Sequence, residues 1–173
     1  MQTRAFWRVV TVDQSDLLDQ LLELFRGEGV RFCVIGGLAV NAYVEPVVTL
    51  DLDLVVAVPD LPRIEPKLAD RFRVERFAHS LNVSHPGSDL RVQLQTDPRY
   101  ATFVDRAHRR AVLGVEMPVA HIEDVLTGKI WAVQDDTRRP SKRQKDLADV
   151  ARLLEAYPAL RARVPEDVLA RLF

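Results

Sequence analysis

The fold of this chain is decided by one stretch, VIGGLAVNAYVEPVVTLDLDLVV at residues 34–56, in which a glycine pair is followed by an acidic strand. Residues 30–35 are rich in β-branched and aromatic side chains and predict a buried strand that ends at Gly36 and Gly37. Residues 38–44 predict a short helix closed by Pro46. In residues 49–58 the leucines alternate with Asp51 and Asp53. This segment is therefore predicted to be a strand whose polar face carries only acids.

Two aspartates at this spacing can hold a metal ion. Side chains two residues apart on a strand emerge on the same face about 6.6–7 Å apart, and magnesium takes oxygen ligands at about 2.1 Å. Because like charges repel, such a pair is usually neutralised by a cation. Taken alone, an Asp-Leu-Asp strand is more often a solvated face. The glycine pair ahead of Asp51 and Asp53 favours the metal site.

Gly36 and Gly37 lie where a strand passes into a helix. Without Cβ atoms they would let a phosphate approach the first amide groups of that helix. A plain strand-to-helix turn is the alternative interpretation of a glycine pair. Gly-Gly at a helix start followed by Asp-Leu-Asp on the next strand is more specific, and it predicts a nucleotide phosphate held with a divalent metal.

The rest of the chain predicts an α+β fold with a small mixed β-sheet, flanking helices and a C-terminal helical segment. We expect one domain over residues 1–173, with a core at about 14–120 and C-terminal helices in 121–173. Helical spacing or end signals predict helices over residues 15–25, 59–72, 99–106, 121–134, 141–157 and 165–173. Strand character is found in residues 73–77, 81–84, 89–95 and 111–119.

Composition indicates which classes of partner and which cellular compartment to expect. Lys and Arg number 24 against 25 Asp and Glu, a formal net charge of −1, so the chain lacks the overall basic excess of a general nucleic-acid binder. Its single cysteine, Cys33, lies in an apolar run and has no partner for a disulfide. No stretch approaches the roughly 20 apolar residues of a membrane span. We therefore expect a cytoplasmic protein that does not interact with membranes.

Residues 34–56 resemble the signature of the DNA polymerase beta type nucleotidyltransferase superfamily. The branch they resemble most is that of the minimal nucleotidyltransferases related to AbiE-type toxins of toxin-antitoxin systems. The resemblance implies transfer of a nucleotidyl group from a nucleoside triphosphate to a hydroxyl of an RNA, protein or small-molecule acceptor, with an antitoxin as a partner. It implies that Asp51 and Asp53 hold Mg²⁺ or Mn²⁺, that Gly36 and Gly37 cradle the triphosphate, and that Lys129 neutralises it.

Later residues extend the resemblance. In the AbiE-related branch one helix carries a lysine, and the next carries Lys-Asp with a second aspartate a turn on. Lys129 matches the first position, and Lys145, Asp146 and Asp149 match the second. A structural ion pair of Lys129 with Asp146 and Asp149 is an equally weighted alternative to contact with the substrate.

The sequence departs from the superfamily at two places. Gln93 stands where the superfamily usually has a third carboxylate, and an amide cannot accept a proton, so either Asp89 or Asp97 replaces that acid or the second-metal half of the chemistry is missing. Residues 45–49, EPVVT, lack the basic residue that relatives often place before the acids. Phosphate neutralisation would then come from Lys129 or from the basic run at residues 138–145. The rival hypotheses are a nucleotide-binding module without catalysis and a structural or partner-binding protein.

Overall fold

A computed structural model describes residues 16–173. Seven strands form one mixed sheet in the order β3-β4-β5-β2-β1-β7-β6. The pairs β2 with β5 and β1 with β7 are parallel, and the other neighbours are antiparallel. The strands are β1 (Phe32–Ile35), β2 (Asp51–Val56), β3 (Arg73–Arg76), β4 (Ser80–Ser84), β5 (Arg91–Gln95), β6 (His108–Val112) and β7 (Val115–Val119).

Helices flank the sheet and follow it at the C-terminal end, which confirms the predicted α+β class. The α-helices are α1 (Leu17–Gly27), α2 (Gly36–Asn41), α3 (Leu61–Arg71), α4 (Ile122–Gln134), α5 (Pro140–Ala156) and α6 (Glu166–Leu169). Short 3₁₀ segments cover Val58–Asp60, Pro98–Arg106 and Pro158–Arg163. Helices α4 and α5 pack against each other and against α2. Within residues 16–173 no helix has the length and apolar content needed to cross a membrane.

Several boundaries differ from the sequence prediction. The helix predicted over residues 38–44 begins two residues earlier, at Gly36, and ends at Asn41. It ends there because the Asn41 side chain donates to the carbonyl of Val47 at 2.7 Å and accepts from the Val47 amide at 3.1 Å, which turns the chain back. The predicted helix at 99–106 is a 3₁₀ segment. Ser15, the predicted cap of the first helix, lies outside the described residues.

The alternation in the acidic strand is confirmed. Leu52 and Leu54 are fully buried, whereas Asp51 and Asp53 on the opposite face are half-buried. The core that takes up the leucine face also contains Leu17, Leu21, Ile64 and Leu68 from α1 and α3. Cys33 belongs to the same core, and its burial raises the pKa of the thiol to about 12, so it remains an uncharged thiol at neutral pH.

Candidate functional site

A cleft of about 440 Å³ opens beside the acidic face of β2. Its walls come from the end of β1, the start of α2, strands β2 and β5, and helices α4 and α5. Most of the residues that the sequence singled out line this cleft: Gly36, Gly37, Asp51, Asp53, Gln93, Lys129, Lys145, Asp146 and Asp149. Asp89 and Asp97 are not among its lining residues.

Asp53 lies directly against the glycine turn. A Cβ atom at Gly36 would overlap the Oδ2 atom of Asp53, and Gly36 also has φ +71°, a conformation that other residues rarely adopt. The Asp53 carboxylate makes no hydrogen bond or ion pair with the rest of residues 16–173. Burial raises its pKa above the ordinary value, the charge of Lys129 opposes that rise, and the charge of Asp51 adds to it. An acid in this state lacks a counterion.

Asp51 has the opposite environment. Its Oδ1 atom lies 2.7 Å from Nε of Arg91, and its Oδ2 atom lies 3.6 Å from Nζ of Lys142. Arg91 reaches it because Asp51 and Arg91 are direct neighbours in the parallel β2–β5 register. The sequence pattern predicted a strand over residues 89–95 but no role for Arg91. The strand pairing needed to link it to Asp51 is not visible in a single sequence.

Lys129 is buried in ion pairs with two acids of α5, Asp146 and Asp149. Its Nζ atom lies 2.9 Å from Asp146 and 2.8 Å from Asp149, and the three residues are at most 8% exposed. Burial alone would lower the pKa of Lys129, but the two carboxylates outweigh it and the pKa is raised. The ion pair that the sequence left as one alternative is thus present. Contact of Lys129 with a nucleotide stays a prediction.

Two arginines extend this buried cluster. Arg138 Nε lies 2.6 Å from Asp146 Oδ2, and Arg152 Nη1 lies 2.8 Å from Asp149 Oδ1. Arg152 also donates to Asn41 Oδ1 at 3.0 Å and to the carbonyl of Glu45 at 2.5 Å. It therefore joins α5 to the end of α2 and to the segment that leads into β2. No sequence pattern pointed to Arg152, because Asn41 and Glu45 are about a hundred residues away.

Gln93 lies beside Asp53. The two are register partners in the parallel pair of β2 and β5, and Asn82 of β4 is the partner of Gln93 on its other side. Asp89 is exposed before the start of β5, and Asp97 beyond its end accepts from the Arg99 amide at 3.0 Å. Across the sheet, the neighbours of Asp53 on β5 and β4 are therefore the neutral amides Gln93 and Asn82.

The donor set at β2 suits a hard divalent cation. Both Asp51 and Asp53 offer carboxylate oxygens at a cleft, and Asp53 lacks any other partner among residues 16–173. In the described part of the chain, no three His, Cys, Asp or Glu side chains come close enough to form a metal site by themselves. The remaining ligands would be water and phosphate oxygens, which is the usual way in which Mg²⁺ is held.

The first turns of α5 and the residues just ahead of them bring positive charge to the cleft. Arg138, Lys142 and Lys145 line it, and Lys145 makes no ion pair with the residues that the structure describes. Arg138 and Lys142 are paired with Asp146 and Asp51. At this wall of the cleft an anion would therefore meet one unpaired cation and two cations that already have carboxylate partners.

The family described as "Nucleotidyl transferase AbiEii toxin, Type IV TA system" matches residues 16–173. The chain belongs to the AbiEii family. This confirms the resemblance drawn from residues 34–56 and from Lys129, Lys145, Asp146 and Asp149. No match to this AbiEii chain was found among curated proteins.

Solved structures share the fold of this AbiEii chain. One is the antibiotic-resistance factor ANT(2'')-Ia in solution, with a TM-score of 0.57 and 14% identity over 87% of this chain and 92% of that chain. Another is the lincosamide antibiotic adenylyltransferase LnuA bound to lincomycin, with a TM-score of 0.56 and 13% identity over 83% and 99%. A third is an antigenic nucleotidyltransferase-like protein from Paracoccidioides brasiliensis, with a TM-score of 0.52 and 17% identity over 84% and 78%. These likenesses establish the nucleotidyltransferase-like fold.

Because Gly36 lies so close to Asp53, we expect an alanine substitution at Gly36 to lower the stability of the fold more than at other glycines with positive φ. In this AbiEii chain Gly29→Ala is the matched control, since Gly29 has φ +62° with open space around its Cβ position. We expect Gly29→Ala to lower the free energy of unfolding by about 1–2 kcal/mol through its backbone alone. Gly36→Ala should cost about 1–3 kcal/mol more, because Asp53 must move. Urea unfolding of both variants measures the difference, and equal costs would contradict the close packing described above.

Proposed function

We propose that this AbiEii chain is a metal-dependent nucleotidyltransferase. It transfers a nucleotidyl group from a nucleoside triphosphate to a hydroxyl of an acceptor, which is an RNA, a protein or a small molecule. One observation carries the proposal: the counterion-free carboxylate of Asp53 lies beside Asp51 and against the Gly36 turn, in a cleft whose far wall is cationic. The placement of the family in Type IV toxin-antitoxin systems supports an antitoxin as the protein partner.

In this proposal Asp51 and Asp53 hold Mg²⁺ or Mn²⁺. When bound, the metal supplies Lewis-acid stabilisation of the charge that builds up on the phosphate oxygens. Asp53 must be ionised to act as a ligand, and its burial works against ionisation. Among the nearby charges, that of Lys129 lowers the pKa of Asp53 most. We therefore assign to Lys129 the role of keeping that carboxylate deprotonated.

The glycine turn and α5 bind the triphosphate from opposite sides. Gly37 is the glycine that leaves room for phosphate oxygens next to the first amide groups of α2, because the space beside Gly36 is filled by the Asp53 carboxylate. Lys145 is the unpaired cation facing them, and Lys142 lies near it. A cationic wall at this position offsets the charge of the leaving pyrophosphate, and phosphoryl transfer depends mainly on such positioning and electrostatic stabilisation.

The transfer exchanges one phosphorus–oxygen bond for another. The acceptor oxygen bonds to the α-phosphorus, the bond from that phosphorus to the β-phosphate bridging oxygen breaks, and pyrophosphate leaves. The proton of the acceptor hydroxyl passes to water, since Gln93, the neighbour of Asp53, cannot take it. We therefore expect a slow enzyme.

A label-transfer assay tests the proposal. The protein is incubated with each α-labelled nucleoside triphosphate, with Mg²⁺ or Mn²⁺, and with total RNA, the protein itself and a small-molecule pool as separate acceptors. Incorporation that requires both the metal and Asp51 is the expected result. If no acceptor is labelled while metal-dependent nucleotide binding is measured by calorimetry, the non-catalytic binding module is the correct function. If neither is observed, the proposal fails.

An acid at position 93 is predicted to speed the transfer. Loss of a general base typically costs about 10²- to 10⁴-fold in rate, so Gln93→Glu should recover part of that factor without changing the acceptor. Gln93→Ala is the control and should leave the slow rate almost unchanged. Initial rates of label transfer across pH 6–9 provide the measurement. A Gln93→Glu variant that is slower than wild type would indicate that the amide itself has a function.

A further inference from the structure

The two aspartates of β2 differ sharply in their partners, although only one residue separates them. Both oxygens of Asp51 face cations, with Arg91 Nε at 2.7 Å and Lys142 Nζ at 3.6 Å. Asp53 has no ion pair within residues 16–173. The two carboxylates and the two cations together carry no net charge. These four groups therefore balance one another, but both cations are placed at one of the two acids.

The cations reach Asp51 from two different elements. Arg91 is its register partner on β5, and Lys142 lies in the first turn of α5, on the opposite wall of the cleft. The side chain of Arg91 is 69% exposed and that of Lys142 is 37% exposed. Ion pairs this open to water contribute little and break at low cost. Long, exposed side chains can also turn to a new partner without moving the backbone.

A divalent cation and these two side chains compete for the same carboxylate. Arg91 Nε lies 2.7 Å from Oδ1 of Asp51, so a metal ion at that oxygen would have a like charge next to it. Two positive charges within about 4 Å also repel a third positive ion. Metal binding by Asp51 together with Asp53 is therefore favoured when Arg91 and Lys142 move away. A triphosphate offers them new oxygen partners.

We propose that Arg91 and Lys142 are exchange cations, which neutralise Asp51 in the empty cleft and move to phosphate oxygens when Asp51 and Asp53 bind a divalent cation with a nucleoside triphosphate. This inference rests on the function proposed above. It also explains how the chain manages without a basic residue in EPVVT at residues 45–49, because Arg91 takes that role from the neighbouring strand. As a result, the metal alone binds weakly, and metal and triphosphate favour each other's binding.

The exchange predicts effects of opposite sign in two binding measurements. Mn²⁺ alone is titrated by electron paramagnetic resonance, and a non-hydrolysable triphosphate analogue with Mg²⁺ is titrated by calorimetry. Arg91→Gln and Lys142→Gln should each bind Mn²⁺ alone about 2- to 5-fold more tightly, because one competing ion pair is removed. Each should bind the analogue with Mg²⁺ about 10-fold or more weakly, because a charged phosphate contact is lost. Arg91→Lys, which keeps the charge, should lie closer to wild type in both measurements.

Arg109→Gln is the matched control. Arg109 is 66% exposed on β6 at the far end of the sheet and does not line the cleft, so its loss should change neither affinity. If Arg91→Gln and Lys142→Gln leave Mn²⁺ affinity unchanged or lower it, or leave analogue affinity unchanged, the exchange is overturned while the proposed function stands. If wild type binds no analogue in the presence of Mg²⁺, the proposed function is overturned first.

Discussion

Asp53→Asn is expected to have two large effects of opposite sign. Nucleotidyl transfer should fall by about 10²-fold or more, because an amide replaces the anionic oxygen proposed to hold the metal. The free energy of unfolding measured without metal at neutral pH should rise, because a partly desolvated carboxylate without a counterion is removed. Label transfer measures the first effect and urea unfolding the second.

The stability effect has a defined pH dependence. The folded-state pKa of Asp53 is raised above its ordinary value, so the folded protein binds this proton more tightly than the unfolded chain does. The wild-type carboxylate therefore destabilises the fold above its raised pKa, and this penalty disappears as the pH falls towards the ordinary pKa of 3.8. The gain of Asp53→Asn over wild type should shrink in the same interval.

Asp51→Asn is the matched control for Asp53→Asn. It should also lose metal-dependent transfer, but it removes an acid that already pairs with Arg91 and Lys142, so no comparable gain in stability is expected. Equal stability changes in the two variants would contradict the difference in counterions between them. An Asp53→Asn protein that transfers label at the wild-type rate would remove Asp53 from the site.

Lys129→Met is expected to destabilise the protein strongly, because it removes the centre of a buried ion cluster. It leaves Asp146 and Asp149 buried with only one arginine each, Arg138 and Arg152. Removing one member of a buried ion cluster typically costs about 3–5 kcal/mol. The remaining arginines still neutralise both acids, so we expect a loss of about 3 kcal/mol in the free energy of unfolding. For a chain of this length that corresponds to a melting temperature lower by about 6–12 °C. Differential scanning calorimetry gives both values.

Lys67→Met provides the comparison for Lys129→Met. Lys67 pairs with Glu28 at the surface, where its side chain is 47% exposed, so its loss should cost less than about 1 kcal/mol. If Lys129→Met is as stable as Lys67→Met, the buried cluster does not hold α4 and α5 together, and Lys129 must be explained by its ligand alone.

The sequence by itself determined the features that depend on local geometry. The alternation in β2 requires Asp51 and Asp53 to share one face, because successive side chains on a strand point to opposite sides. The glycine pair requires a turn that tolerates positive φ, which Gly36 adopts. The helical spacing of residues 121–134 and 141–157 also depends on neighbours a few positions apart, and both helices are present as α4 and α5. These patterns were sufficient to predict the α+β class.

Only the tertiary structure decided how the site is balanced electrically. Arg91 and Gln93 become neighbours of Asp51 and Asp53 through a parallel pairing of strands some forty residues apart, and no local pattern fixes that register. The pKa values of Asp53 and Lys129 depend on burial and on charges from other elements. For Lys129 these charges are Asp146 and Asp149. Desolvation and Coulomb energies follow distances in space rather than separation along the chain. For that physical reason the sequence could place the two acids but could not show that one is paired and the other is without a counterion.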